Sequence, residues 1–476
     1  MKVLAIDQGT SSTKALVVGD DGEVLSEGSA PVTPRAAGQG AVEQDAQELL
    51  DSIIEAGRAA LAGAGAKVEA VGIANQGETV LRWDLDSGRP LGPALSWQDR
   101  RAVSVTRELS DHAERLLELT GLPLDPYFAA PKMTWLRREG GEEGVVTTVD
   151  AWLNRRIAGA FVTDAATASR TLLLDLDTAS WSAAACALFG LDLEAQPQIV
   201  DCAATVGETS AFGDSLPVTG LVVDQQAALF AESCFTPGEA KCTYGTGAFI
   251  LANAGERAMR SRSGLAACVA WRLEGATTYC LDGQAYSAGS AVSWLEQLAL
   301  IGEAADLDRA SGSDEEVVFV PALAGLGAPF WAPEARGAWL GLSLATARGD
   351  LVRAVAMGIA AQIASLAHAM GEDAGRPLER LRVDGGLTRS STLMQAQADL
   401  LQAPVELYPS PDATALGAGA FARLGAGGAT TPVEAVGRWS PSAVFEPRMT
   451  PAEAKERLGR WRAAAHALAE LARDAR

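Results

Sequence analysis

The chain has 476 residues, 48% of them hydrophobic, and a formal net charge of −21. A single compact core rarely grows to this length, so two large domains are expected. The acidic balance argues against nucleic acid and anionic membranes as partners, and any bound phosphate must be held by local N–H groups and metal.

No charged n-region followed by an apolar h-region opens the chain, and no uninterrupted apolar run of about 18 residues occurs, so neither a signal peptide nor a membrane span is expected. The six cysteines form no C-x-x-C pair and read as small buried thiols in a reducing cytoplasm. His112, His368 and His466 are the only histidines and lie far apart. That spacing argues against a His-based zinc site or a Ser-His-Asp triad.

In chain order, the run 2–7 ends in Asp7, and Gln8-Gly9-Thr10-Ser11-Ser12-Thr13 follows before a second apolar run, 14–18. Strand, tight turn and strand would present backbone N–H groups and hydroxyls at one sheet edge with Asp7 beside them. Such an edge can hold a phosphate chain and a divalent metal; the alternative is an ordinary hairpin. Residues 23–29 read as a third strand, and Asp45 can cap a helix of about 20 residues. A strand over 68–74 delivers Asn75-Gln76-Gly77-Glu78-Thr79. Short strands are expected over 79–84 and 94–97, then one helix running to about residue 119, and helices over 130–139 and 149–158. Strand and helix alternate, which reads as α/β.

Near residue 230 the pattern restarts. Residues 240–244, the turn Gly245-Thr246-Gly247 and residues 248–252 repeat the opening device, which suggests internal duplication. Strands are expected near 268–272, 277–281 and 317–321, with helices over 286–299 and 349–371. The strand 381–384 ends in Asp384-Gly385-Gly386, and a helix follows at about 390–402. Ser410-Pro411 reads as a helix cap with proline at the first helical position, and 451–473 as an amphipathic helix. The run Asp314-Glu315-Glu316 reads as a solvated loop.

Three Asp or Gly turns at strand ends, spread over two halves, point to a two-domain nucleotide clamp; glycine lets the backbone approach phosphate oxygens, and threonine adds a hydroxyl donor. With these blocks in view, the sequence resembles the FGGY carbohydrate kinases of the actin and hexokinase ATPase superfamily, glycerol kinases most closely. The resemblance runs nearly end to end. It is carried by Ile6 to Lys14, Trp97-Gln98-Asp99-Arg100-Arg101, Thr163-Asp164, Ala168-Ser169-Arg170-Thr171 and Asp224 to Leu229. Thr243 to Gly247, Gly325 to Trp331, Val383 to Gly386 and Ala413 to Ala418 complete it.

The resemblance implies two actin-like (ribonuclease H-like) α/β domains, 1–231 for the acceptor and catalytic base and 232–476 for the nucleotide, with the active site between them. Asp224 matches the base that takes a proton from the attacking hydroxyl; its alternative is a helix cap. Thr10, Ser11, Ser12 and Lys14 match the first phosphate turn, and Gly245 and Thr246 the second. Gly289 and Gly386 match nucleotide-side glycines. Ser293 and Ser390 stand where glycerol kinases often have Gln and Asn. Asp7 is expected to help hold Mg²⁺ through water, a capping role being the alternative. ATP and Mg²⁺ are the implied cofactors, and the resemblance is compatible with a homodimer.

Gly77, Glu78, Trp97, Tyr127, Asp224, Gln225 and Phe249 match the acceptor pocket. One position departs: glycerol kinases present Arg-Glu where this chain has Gly77-Glu78. Losing charge-assisted donors to a triol costs on the order of 1.5–3 kcal/mol each. The expectation is therefore a larger acceptor, a four- or five-carbon polyol or sugar. Glycerol kinase proper is the alternative, and a non-catalytic sugar- or nucleotide-sensing relative the remote one. The loop before Asp224, Gly213 to Val218, lacks the Gly-Gly-Thr-Arg pattern that some glycerol kinases use for an inhibitory sugar bisphosphate, so no such inhibition is expected.

Overall fold

The computed structural model describes residues 1–38, 40–65, 67–310 and 317–474. The charge run 314–316 lies outside the described residues.

Two sheets organise the chain. The first has six strands in the order Gly207–Thr209, Leu216–Val223, Ala70–Asn75, Val3–Gln8, Ser12–Val18, Val24–Pro31. The second has seven, in the order Ala266–Leu273, Ala276–Ala285, Ala248–Gly255, Ala240–Tyr244, Leu381–Asp384, Val405–Leu407, Ala443–Phe445. The plan is repeated. Each sheet has an antiparallel hairpin, Asp7 opposite Lys14 in one and Thr243 opposite Phe249 in the other. The first strand of each hairpin pairs in parallel with a strand from further along the chain, Ala70–Asn75 or Leu381–Asp384. Strands buried on both faces must be apolar throughout. Val3, Leu4, Ala5 and Ile6 are fully buried, as are Ala70 and Val71.

Two helices tie the sheets together. Asp224–Ala231 continues from a strand of the first sheet and packs on the hairpin strands of the second. Ala413–Gly425 belongs to the second half of the chain yet lies across the first sheet and against Asp224–Ala231. The approach is backbone to backbone. A Cβ on Gly72 would overlap the Ala418 carbonyl oxygen, and one on Gly417 the Ala227 carbonyl oxygen. A Cβ on Gly220 would lie 2.5 Å from the Ala422 nitrogen.

Asp45 caps the helix Ala46–Ala64 by accepting from the N–H groups of Gln47 and Glu48, as expected. Two expectations need correction. The single helix to about residue 119 is broken into Val103–Glu108, a 3-10 turn at Ser110–His112, and Ala113–Thr120. Ser110 and Asp111 fall at the break, and such side chains compete with the helix for backbone groups. The helix expected to start at Ser410-Pro411 begins at Ala413 instead, with Asp412 at the N-cap position. The Asp412 carboxylate is drawn to Lys14, 2.8 Å away, and caps nothing.

All six cysteines are buried and unpaired. The 27-residue helix Arg348–Ala374 is long and apolar enough to cross a membrane by length and composition, but most of it is buried inside the protein.

The glycine-lined contact is directly testable. Gly72→Ala forces a methyl group into the Ala418 carbonyl, an overpacking that costs about 1–3 kcal/mol. Denaturant unfolding should show the midpoint falling with the slope unchanged.

Candidate active site

A cavity of about 280 Å³ opens where the two hairpin turns face each other. Its floor on one side is Thr10 and Ser11, and on the other Thr243 and Gly245 to Gly247. Each turn is closed by its own backbone: Gly9 N–H donates to Ser12 O (3.1 Å) and Gly245 N–H to Gly247 O (2.9 Å). The second turn is also held by the helix Gly289–Gln297. The N–H groups of Ala288 and Ser290 donate to Thr246 O, and that of Gly289 to Gly245 O. A Cβ on Gly289 would sit 2.5 Å from Gly245 O, so glycine is what lets the helix approach.

The other walls are aromatic and acidic. Trp97 Nε1 donates to Thr10 Oγ1 at 2.8 Å, and its ring meets Tyr127 and Phe249 edge-on, with centroids 6.0 and 5.9 Å away. Tyr127 is fixed from below by Lys132, which is fully buried and donates to the carbonyls of Pro126, Tyr127 and Phe128. Burial pulls this ammonium down to about 7.

Glu78 sits at the bend after the strand Ala70–Asn75. Its φ is +54°, and Thr79 N–H donates to Gly77 O at 2.7 Å across it. A non-glycine residue there is strained, and such strain persists only where surrounding contacts fix it. Burial pushes the Glu78 carboxyl up to about 7, while Arg170 pulls it back. Gly77 brings no side chain to the cavity, and its Cβ direction is already occupied. A Cβ there would lie 3.1 Å from Val223 Cγ2 and 3.4 Å from Arg170 Nε.

Asp224 is the first residue of its helix, one place beyond the N-cap Val223, and its carboxylate accepts from Gln225 N–H at 2.7 Å. Burial raises its pKa; Arg170 and Lys241 oppose that. Lys241 is fully buried and donates to Gln225 Oε1 (2.6 Å) and Thr243 Oγ1 (2.8 Å). It thus joins the acid side of the cavity to the second hairpin.

Asp7 lies outside the cavity wall. Burial first, then the charges of Asp224, Asp412 and Asp384, push it up to about 8. Asp384 Oδ1 is buried without a partner. Among the described residues no three His, Cys, Asp or Glu side chains converge as a metal cage. A single carboxylate in a crowded anionic setting suits a hard cation that keeps most of its waters, as Mg²⁺ does.

The cavity thus gathers Thr10, Ser11, Gly77, Glu78, Trp97, Tyr127, Asp224, Gln225, Gly245, Thr246 and Phe249. The other expected residues lie elsewhere. Ser12 is exposed, and Lys14 is paired with Asp412 and Glu27. Ser293 is exposed, while Ser390 caps the helix Ser391–Leu401 and donates to Asp308. Gly386 has open space before it, beside Gly385, whose φ is +94°. A wider groove of about 940 Å³, around Glu239, Asp373 and Arg382, contains neither hairpin turn nor Asp224.

Arg170, Thr243 and Gly247 also line the cavity; they stand in the motif blocks that carry the resemblance but were given no role there, and Arg170 is the most connected of them. It is only 2% exposed, yet it bonds Glu78, Asp282 Oδ2 (2.6 Å) and Tyr127 OH (3.2 Å). The available signal was a lone arginine just ahead of the run Leu172-Leu173-Leu174, since a cation in apolar surroundings must find buried anions.

Similarity to known proteins assigns the chain to a family. The N-terminal domain model of the FGGY family of carbohydrate kinases matches residues 2–231, and the C-terminal domain model matches 240–426. A glycerol kinase of Myxococcus xanthus is 42% identical, the match covering 97% of this chain and 98% of that one. The structure of a Plasmodium falciparum glycerol kinase with ADP superposes with a TM-score of 0.89 at 31% identity, over 98% of each chain. A xylulose kinase from Brucella ovis superposes with a TM-score of 0.88 at 26% identity, over 99% of this chain and 100% of that one. With a repeated α/β plan, two facing turns and a carboxylate-lined cavity between them, the chain belongs to the FGGY family of carbohydrate kinases, phosphotransferases that act on a small sugar or polyol.

Proposed function

We propose that this kinase transfers the γ-phosphoryl group of ATP to a hydroxyl of a four- or five-carbon polyol or sugar. The observation that carries the acceptor size is Gly77 itself, which removes the donors of the arginine that a glycerol kinase pattern places before Glu78. Glu78 accepts two acceptor hydroxyls, Trp97, Tyr127 and Phe249 enclose the carbon chain, and Gln225 completes the pocket. Asp224 takes the proton of the attacking hydroxyl. Phosphoryl transfer passes through a loose transition state, so one aligned carboxylate and well-placed donors suffice. Thr10, Ser11, Gly245 and Thr246 supply N–H and hydroxyl donors to the phosphates. Gly289 and Gly386 give the nucleotide close backbone approach, with Ser293 and Ser390 nearby. Lys14 acts through Asp412, which it neutralises. Mg²⁺ beside Asp7 would offset phosphate charge. Closure of the two domains over the cavity excludes water and limits ATP hydrolysis.

Glycerol kinase proper is the second reading. It is favoured by relatives of that name at about 40% identity. It is also favoured by the Arg170 guanidinium, which already places positive charge beside Gly77.

ADP release should be measured with Mg-ATP and glycerol, tetritols, pentitols and ketopentoses. The larger-acceptor reading expects the highest kcat/KM on a four- or five-carbon compound and a shift toward glycerol in Gly77→Arg. Best turnover on glycerol in the wild type would decide for the second reading. Asp224→Asn should lower kcat by about 10²–10⁴-fold while ADP binding survives; unchanged kcat would remove Asp224 as the base.

The pH dependence has a definite sign. Glu78, held at about 7, is a carboxylate above that value and a neutral acid below it. The acceptor KM should rise as pH falls through about 7, and Glu78→Gln should flatten that rise. A KM profile unaffected by Glu78→Gln would separate this carboxyl from acceptor binding.

A further inference from the structure

Lys241 stands on the strand Ala240–Tyr244 with its side chain fully buried, yet among the described residues it makes no ion pair. Burying a charge is costly unless it is well bonded. Lys241 spends its ammonium on an amide oxygen and a hydroxyl, Gln225 Oε1 at 2.6 Å and Thr243 Oγ1 at 2.8 Å. Gln225 comes from the first half of the chain, on the helix Asp224–Ala231. An ammonium has three donors and no acceptor, so the end of the amide that faces it is the oxygen. The NH₂ end is thereby turned the other way. Gln225 lines the cavity beside Asp224, and its backbone N–H donates to Asp224 Oδ1 at 2.7 Å. Burial raises the Asp224 carboxyl; Arg170, this N–H, Lys241 and a hydrogen bond from the Gln225 side chain oppose the rise, in that order. Only the NH₂ end can donate to a carboxylate, so the amide spans from Lys241 at one end to Asp224 at the other.

We propose that Lys241 is a positioning residue for phosphoryl transfer: by holding Gln225 Oε1 it turns the amide NH₂ onto the Asp224 carboxylate and fixes the direction in which that base meets the attacking hydroxyl. The proposal rests on the reading of Asp224 as the base and is indifferent to the size of the acceptor. Two donors from one residue, backbone N–H and amide, restrain the carboxylate, and a base already held in one orientation needs no rearrangement when transfer begins. Lys241 is not among the residues that line the cavity, so it acts through Gln225. It also stands on the strand that leads into the turn Gly245-Thr246-Gly247, which references the base to the strand carrying the second phosphate turn.

The test is a double-mutant cycle on kcat, with the full enzyme, Mg-ATP and the acceptor it turns over best. Lys241→Met keeps a long buried side chain and removes the donors. Lys241→Met and Gln225→Ala should each lower kcat by about tenfold or more, the range for a lost charged hydrogen bond. The double variant should be no slower than Gln225→Ala alone, and the KM for ATP should hold. Losses that multiply in the double variant would overturn the proposal, because a lysine that only supports its strand would act independently of the amide. Wild-type kcat in Lys241→Met would do the same. If Lys241→Met gives no cooperative melt, Gln225→Glu replaces it. That variant keeps an oxygen for Lys241 but puts a second oxygen where the NH₂ was, so kcat should fall at least as far as in Gln225→Ala; wild-type kcat there would again overturn the proposal. Asp224→Asn keeps the two readings apart. Unchanged kcat in Asp224→Asn removes the base and the role of Lys241 with it. A large loss in Asp224→Asn with multiplying losses at Lys241 and Gln225 removes the role of Lys241 alone.

Discussion

The helix Ala413–Gly425 lies so close to the first sheet that its backbone meets strand backbone directly at Gly72 and Gly220. On its other side, Gly417 brings it equally close to the helix Asp224–Ala231. No side chain intervenes at these points, so the spacing is set by atoms that cannot change rotamer. The two helices exchange partners between the sheets. One leaves the first sheet to pack on the second; the other comes from the second half to cover the first. That exchange holds the two hairpin turns opposite each other and brings Asp224, at the start of one helix, to the cavity between them. Shifting either helix by the width of a methyl group would move the acid relative to both turns.

The cavity is also an electrostatic compromise. Arg170 is almost completely buried between two carboxylates, and taking all three charges out of water is expensive. A buried cluster of this kind is weak evidence for stability but fixes geometry, because removing Arg170 would strand both carboxylates and removing either carboxylate would leave the cation half-compensated. Lys132 makes the same point with backbone acceptors. Three successive carbonyls surround its ammonium, so the loop that carries Tyr127 is held by an ion and not by sheet pairing.

Much of the plan was legible because it depends on local chemistry. Each hairpin announced itself as an apolar run, a turn of small residues and a second apolar run, and the repeat of that pattern exposed the duplication. The gathering of Gly77, Glu78, Trp97, Tyr127 and Asp224 came from motif resemblance, and these residues do share one cavity. What escaped depends on contacts between distant segments. Lys14 follows the phosphate turn in sequence, but alternation along a strand sends it to Asp412, almost four hundred residues away. Gly77 suggested an empty space, yet the position its Cβ would take is packed against Arg170 and Val223 from other segments. The break at Ser110–His112 was hidden because the apolar spacing continues across it while the capping chemistry does not.

The acidic composition and the arrangement of the turns explain each other. A protein with a net charge of −21 repels anions at long range, so phosphate recognition has to be built at contact distance. Near the hairpin turns the repulsion is concentrated further. Asp7 is flanked by Asp224, Asp384 and Asp412, and the nearest cations, Lys14 and Lys241, are already committed to Asp412 and to Gln225 with Thr243. Burial first and then this repulsion push Asp7 up to about 8, and burial raises Asp224 and Asp384 in the same direction. Such a cluster is a poor host for a bare phosphate chain and a good host for one that brings its own positive charge. The Mg²⁺–nucleotide complex proposed above would bring the positive charge that this cluster lacks, and backbone N–H groups at the turns would contribute shape and not charge.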